Sequence, residues 1–149
     1  MRIIASLVLC LGLSFTLSAQ SILGKWKSID DETGKPRSYV EIYKNSSGQV
    51  EGKILQVIPG PDDEADPICD ECPKDDPRFN QKVNGMVIIT KMKASSDNQS
   101  ARSGLILDPE TGNEYRCLLS LDDNGKKLKV RGYIGIKALG RTQIWEKAE

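Results

Sequence analysis

Gly24-Lys25-Trp26, with Gly140-Arg141-Thr142-Gln143-Ile144-Trp145 near the other terminus, is the pair of stretches that decides the fold. A glycine, one spacer and a tryptophan on a first strand, matched by an arginine on a last strand, indicate a closed antiparallel barrel. We expect Trp26 to plug one end of this barrel. The guanidinium of Arg141 is expected to lie across the indole as a planar cation over a π-system. A structural role at the barrel end is favoured for this pair over the alternative, a role in lining a ligand mouth.

Between these two stretches, short strand patterns alternate with turn residues at fairly even spacing, which is typical of an all-β barrel or sandwich. The predicted strands cover residues 23–29, 39–44, 50–58, 86–92, 102–107, 114–121, 127–134 and 141–146. The clearest hairpin signal is Asp122-Asp123-Asn124-Gly125. One apolar face per strand and no long helical period predict an eight-stranded antiparallel up-and-down barrel, with an open sandwich as the alternative.

The interior of such a barrel is just wide enough for side chains or for one small ligand. The apolar face is predicted to line that cavity or to fill it. Its candidate ligand-binding residues, besides Met86 or Val87, are Val40, Ile42, Ile54, Ile88, Leu119, Val130 and Ile144. Residues 59–82 interrupt the strand rhythm with a proline-rich, acidic segment, which is predicted to be one long cysteine-bearing loop over the surface or a barrel mouth.

The first 19 residues have the pattern of a secretory signal peptide. Arg2 is followed by an apolar run over residues 3–17 and then by the small residues Ser18 and Ala19. The run is shorter than the roughly 20 apolar residues that a membrane anchor needs. We therefore predict a signal peptide over 1–19, a single barrel domain over 20–149 without a membrane span, and a periplasmic or secreted location. The sequence does not indicate the oligomeric state.

Composition excludes several classes of function. The chain has 21 Lys and Arg residues against 21 Asp and Glu residues, and no basic stripe with interleaved aromatics, which argues against a nucleic-acid partner. It contains no histidine, which excludes histidine-based triads and histidine-ligated metal. No nucleophile with an attendant base and no phosphate-binding glycine loop is present. We predict neither catalytic residues nor a cofactor.

Cys69-x-x-Cys72 is the sharpest local motif, and three interpretations compete for it. A structural disulfide that staples the long loop is favoured. A redox-active pair is the second, but the neighbouring acidic residues should raise a thiol pKa and reduce reactivity. Zinc on Cys69, Cys72 and Cys117 is the third, and it lacks a histidine as fourth ligand. Cys117 is expected to be a buried, inert residue, with pairing to Cys69 or Cys72 as the alternative.

An acidic run, Asp62-Asp63-Glu64-Ala65-Asp66, continues at Asp75-Asp76. Carboxylate oxygens in such numbers suit calcium. The run lacks the glycine and terminal glutamate of a dedicated calcium loop, so a solvated charged loop is favoured and no metal site is predicted.

Several long motifs resemble an exported bacterial family, the domain of unknown function 2147. They include the segments 24–36, Cys69-Asp70-Glu71-Cys72, 107–112, 115–117, 128–135 and 139–145. The resemblance covers essentially the whole chain after residue 19 and implies a lipocalin-like barrel in the periplasm or outside the cell. It implies no reaction and no ligand.

Three functions follow as hypotheses. The first is an exported, non-catalytic barrel that binds a small apolar or amphipathic ligand in its interior. The second is an envelope interaction or stability protein with a filled barrel, whose contact surface is the long acidic loop. The third, an enzyme of thiol–disulfide exchange using Cys69 and Cys72, is disfavoured.

Overall fold

The computed structural model describes residues 20–122 and 124–149, and these form a closed barrel of antiparallel strands. The elements are β1 (Gly24–Ile29), β2 (Pro36–Lys44), β3 (Val50–Val57), β4 (Val87–Ala94), β5 (Ser100–Leu107), β6 (Glu114–Leu121), β7 (Lys127–Tyr133), a 3₁₀ turn η1 (Lys137–Leu139) and β8 (Arg141–Lys147). Each strand pairs with the next, and β8 pairs with β1 to close the barrel in the order β1 to β8. The predicted up-and-down barrel is confirmed. The signal peptide predicted over 1–19 lies outside the described residues.

The interior is filled by apolar side chains that alternate along the strands. Trp26 on β1 is fully buried, and Val40 lies opposite it on β2. On the other side of the barrel Leu119 pairs with Val130, and both are buried. Glycine is needed where bulky neighbours meet, because a Cβ at Gly52 would lie 2.9 Å from Ile89 Cδ1 and 3.0 Å from Ile42 Cδ1.

Successive connections of an up-and-down barrel fall at opposite ends, so the two ends differ in what covers them. At one end, which we call the closed end, Trp26 Nε1 donates a hydrogen bond of 2.8 Å to the carbonyl of Ile22, which is itself fully buried. Ile22 is tied to the β4–β5 turn through its N–H to Asn98 O, at 2.8 Å. At the opposite end, the open end, lie the β1–β2, β3–β4, β5–β6 and β7–β8 connections. Trp26 therefore plugs the closed end, as predicted.

The cation over the Trp26 ring is Lys147, whose Nζ lies 5.0 Å from the ring centroid, and the predicted stacking of Arg141 is wrong. The reason is the register of the closing pair, in which Trp26 lies opposite Lys147. Arg141 begins β8 at the open end, six positions away along the same strand. There its Nε donates to Asp31 Oδ2 at 2.5 Å, and its Nη2 lies 3.2 Å from Glu32 Oε1.

The prediction of which β8 side chains face the barrel interior is also wrong. Ile144 was expected inside, but its side chain is 38% exposed, whereas Trp145 is buried at 2%. Adjacent strand residues point to opposite faces, so only one of the two can enter the core. Burying the larger indole removes more apolar surface from water, and its Nε1 keeps a hydrogen bond to Gln143 Oε1 at 2.9 Å.

The long β3–β4 connection, residues 58–86, is here called the Cys loop. It has one isolated bridge, Ile68 to Lys82, and it packs on the β5–β6 hairpin, where Cys69 Sγ approaches Pro109 O at 3.4 Å. Arg78 fixes it to the barrel, since its Nη2 lies 2.7 Å from Asp76 Oδ2 and 2.9 Å from Glu114 Oε2 on β6. The prediction of one long cysteine-bearing loop is confirmed, and its contacts place it against the β5–β6 hairpin. Among the described residues, no helix has the length and apolar character required to cross a membrane.

Candidate functional site

Most of the interior residues predicted to bind a ligand are part of a packed core. The buried ones are Val40, Ile42, Ile54, Ile88, Leu119 and Val130. They share the interior with large side chains that are fully or almost fully buried, including Trp26, Ile89, Met92 and Trp145. In β4 a register shift opposite Gly52 leaves Ile88 and Ile89 both buried, an irregularity that simple alternation did not predict. Ligand binding at these interior residues stays a prediction.

Two depressions of the described residues lie outside the barrel core. The larger, about 500 Å³, opens on the outer wall formed by β4 to β7 and by η1. Its apolar wall comes from Leu105, Leu118 and Tyr133. Its charged groups are all cationic: Lys91, Arg102, Arg116 and Lys137. We call this depression the basic groove.

Strand register explains why these residues meet. Thr90 lies opposite Leu105, Leu105 opposite Arg116, and Arg116 opposite Tyr133, so one row crosses four strands. Residues directly opposite on neighbouring strands share a face. Because Ile89 and Ile106, one position away, pair on the inner face, this row points outward. The residues come from separate strands, and only the register brings them together.

The backbone beneath the basic groove is strained. Lys91 has φ 59° and Ser103 has φ 64°, although neither is glycine. Both lie between the pairs Thr90–Leu105 and Lys93–Arg102, so the irregularity is matched on the two neighbouring strands. Left-handed backbone at non-glycine residues is uncommon and clusters at functional sites, where it aims side chains that regular strands would direct elsewhere.

The basic groove also has an unbalanced charge. None of Lys91, Arg102, Arg116 and Lys137 forms an ion pair with a carboxylate of the described residues. Some cations outside the groove do form ion pairs, as Lys27 does with Glu146 at 2.9 Å, whereas others, such as Lys25 and Lys129, form none within the described part of the chain. The whole chain carries no formal net charge, and no acidic residue that the structure describes lines the groove, so the groove is a local concentration of positive charge. Such a site attracts an anion.

Cys69 and Cys72 form the predicted disulfide, with their Cα atoms 5.4 Å apart. The zinc interpretation is therefore wrong, because two of its three thiolates are joined to each other. The pair is also inaccessible, with Cys69 0% and Cys72 3% exposed. Thiol–disulfide exchange requires a partner thiolate to reach a sulfur atom, so this burial disfavours the redox function.

Cys117 is free and fully buried, and desolvation raises its pKa to about 12. A thiol with that pKa is protonated at neutral pH and is a poor nucleophile.

We predict that Ellman's reagent finds no reactive thiol in the native protein at pH 8 and one thiol per chain in unreduced protein unfolded in guanidinium chloride. Cys10 lies within the predicted signal peptide, so the protein used must begin at Gln20 for the thiol count to refer to Cys117. A fast-reacting native thiol would show that Cys117 is not sealed in the core.

The carboxylates of the acidic run do not converge on a common centre. Asp66 accepts hydrogen bonds from Lys82 and Asn84, and Arg78 lowers the pKa of Asp76 to about 2 by hydrogen bonding. No group of three or more acidic or cysteine side chains in the described part of the chain is arranged to hold a metal ion. Asp66 and Asp76 instead pair with Lys82 and Arg78 of the Cys loop itself, so the calcium alternative finds no support among the described residues.

The closed eight-stranded barrel, plugged at one end by a tryptophan of the first strand, has a lipocalin-like fold. The solved structure of protein HP1028 from the human pathogen Helicobacter pylori, described as belonging to the lipocalin family, matches with a TM-score of 0.71 and 18% sequence identity. The match covers 87% of this chain and 84% of that one. At this identity the likeness concerns the fold alone.

The particular family is identified from the sequence. The family described as an uncharacterized protein conserved in bacteria, DUF2147, matches residues 24–147, and this chain belongs to it. The resemblance noted from the motifs is thus confirmed. A search of curated proteins found no match.

Proposed function

We propose that this chain is an exported, non-catalytic binding protein for a small amphipathic molecule that carries an anionic group, a carboxylate or a phosphate. The single observation that carries the proposal is the basic groove, where four unpaired cations border an apolar wall. The signal-peptide pattern of residues 1–19 supports export. The lipocalin-like barrel supports small-ligand binding, and the groove adds the chemistry of the ligand.

The groove offers both kinds of contact that such a ligand needs. Arg102 and Arg116 belong to the neighbouring strands β5 and β6, and planar guanidinium groups bind carboxylate and phosphate oxygens in pairs. Leu105, Leu118 and Tyr133 supply the surface for an apolar tail. A volume of about 500 Å³ suits one small molecule.

The outer groove is favoured over the interior for a packing reason. A ligand inside the barrel would have to displace buried side chains such as Met92 and Trp145. Displacing close-packed apolar groups costs the burial and dispersion energy they contribute. A ligand in the groove displaces only water and gains ion pairs.

Charge reversal in the groove tests the proposal. We expect wild-type protein to bind decyl phosphate, below its micelle concentration, and the variant Arg102→Glu/Arg116→Glu to bind it at least about tenfold more weakly, because two attractive charges become repulsive. Isothermal titration calorimetry at low salt measures both affinities.

The matched control is Lys25→Glu/Lys129→Glu, which changes the net charge equally on exposed strand residues that do not line the groove. This control is expected to retain binding within about twofold. Equal losses of affinity in the two variants would show that the effect comes from the overall charge of the protein and not from the groove. Unchanged affinity in the groove variant would show that the groove is not the binding site. The interior residues would then be the remaining candidates.

A further inference from the structure

The β7–β8 connection exposes apolar side chains that the fold does not bury. Ile134 is 68% exposed, Ile136 63% and Leu139 79%. These are the three most exposed large apolar residues of the described chain, and they fall within six positions. We call residues 134–139 the apolar loop. It contains no acidic residue, and its single charge is Lys137.

Hydrogen bonds from one arginine hold the apolar loop in its exposed position. Arg131 donates from Nε and Nη2 to the carbonyl of Lys137, at 3.0 and 2.5 Å, and from Nη1 to Thr142 Oγ1 at 2.7 Å. The base of the loop lies close against β7, since a Cβ at Gly140 would be 2.6 Å from Gly132 O. Arg131 of β7 thus ties the loop to the strand before it and also bonds to the strand after it.

The apolar loop and the basic groove form one continuous surface. Lys137 belongs to the loop and also lines the groove, beside Lys91, Arg102 and Arg116. An apolar prominence bordered by unpaired cations matches a lipid bilayer with anionic headgroups, in which apolar side chains enter the acyl boundary and cations face the headgroups. A ligand confined to the groove would leave Ile134, Ile136 and Leu139 in water. An apolar protein partner would leave the cations unpaired.

We propose that the apolar loop docks this protein on an anionic lipid bilayer, with the cations of the basic groove facing the headgroups. The proposal rests on the proposed function only in using the same cations. Docking places the groove at the surface where anionic amphiphiles reside. It thereby gives the groove a source of ligand.

Vesicle binding tests this inference. Wild-type protein is expected to co-sediment with vesicles of phosphatidylglycerol and phosphatidylcholine, less as salt increases, and not with vesicles of phosphatidylcholine alone. Ile136→Ser/Leu139→Ser is expected to lower binding to the anionic vesicles at least about tenfold, because the side chains that enter the bilayer are gone. The control Tyr39→Ser/Ile68→Ser, which removes two other exposed apolar residues, is expected to leave binding unchanged.

A second measurement separates this inference from the proposed function. The apolar-loop variant is expected to bind monomeric decyl phosphate as the wild type does, because the groove is intact. Failure of wild-type protein to bind anionic vesicles, or equal binding by the apolar-loop variant, would overturn the docking while leaving the groove untouched. A concentration-dependent dimer that the apolar-loop variant abolishes would also overturn it, by making the loop a contact between copies.

Discussion

Replacing Trp26 with alanine is expected to lower the free energy of unfolding by about 3–5 kcal/mol, because it removes a large aromatic side chain from a core that cannot fully collapse around the space. The indole is fully buried at the closed end of the barrel, opposite Val40. It also satisfies the carbonyl of Ile22 through its Nε1, at 2.8 Å. Equilibrium unfolding in urea, monitored by circular dichroism, measures the loss.

Two milder variants divide this loss into its parts. Trp26→Phe keeps an aromatic ring and deletes the Nε1 donor to the buried Ile22 carbonyl. Its loss of unfolding free energy is expected to be about 1–3 kcal/mol smaller than that of Trp26→Ala. Lys147→Met removes the cation 5.0 Å from the ring centroid and is expected to cost less than about 1 kcal/mol. An alanine variant no less stable than the methionine variant would show that Trp26 is not the plug of the barrel.

The barrel was predictable because its evidence is local. Each hairpin needs only a turn and two alternating strands, and Asp122-Asp123-Asn124-Gly125 is such a turn by composition alone. The closing β1–β8 pair has no turn, since it joins the two ends of the chain. Its register is set by packing around the whole barrel, and that register places Lys147 rather than Arg141 opposite Trp26. The position of Trp26 was therefore predictable and the identity of its cation was not.

The candidate site was hidden for a related reason. Arg102 and Arg116 each occupy an ordinary outward position on a strand, and nothing in either segment indicates an anion site. Their proximity depends on the β5–β6 register, and the matched left-handed residues Lys91 and Ser103 cannot be inferred from residue type. The available signal was the apolar run around Lys137, because exposed isoleucine and leucine in a connection are unexpected.

Replacing Gly112 with alanine is expected to lower the free energy of unfolding by about 2–4 kcal/mol. The new Cβ strains the left-handed backbone and also clashes with backbone atoms of the Cys loop. Gly112 has φ +69°, and a Cβ there would lie 2.5 Å from the carbonyl carbon of Glu71 and 2.9 Å from Cys72 N. These are backbone atoms of a disulfide-closed segment, which cannot turn aside as a flexible side chain can. The β5–β6 hairpin and the Cys loop must therefore separate.

Gly34 is a matched control within the same chain. Asp30-Asp31-Glu32-Thr33-Gly34 and Asp108-Pro109-Glu110-Thr111-Gly112 share four of five residues, and in each turn the glycine N–H bonds to the first carbonyl at 2.8 Å. Gly34 also has φ +69°, but a Cβ there meets nothing within 4 Å.

The difference between the two alanine variants therefore isolates the contact with the Cys loop from the strain of the turn. Gly34→Ala is expected to cost only the strain, about 1–2 kcal/mol. Urea unfolding compares the two variants, and trypsin cleavage after the Cys loop residues Lys74 and Arg78 is expected to accelerate in Gly112→Ala alone. Equal losses of stability and unchanged cleavage would mean that the hairpin does not hold the Cys loop in place. Its position would then depend on Arg78 and its ion pairs with Asp76 and Glu114.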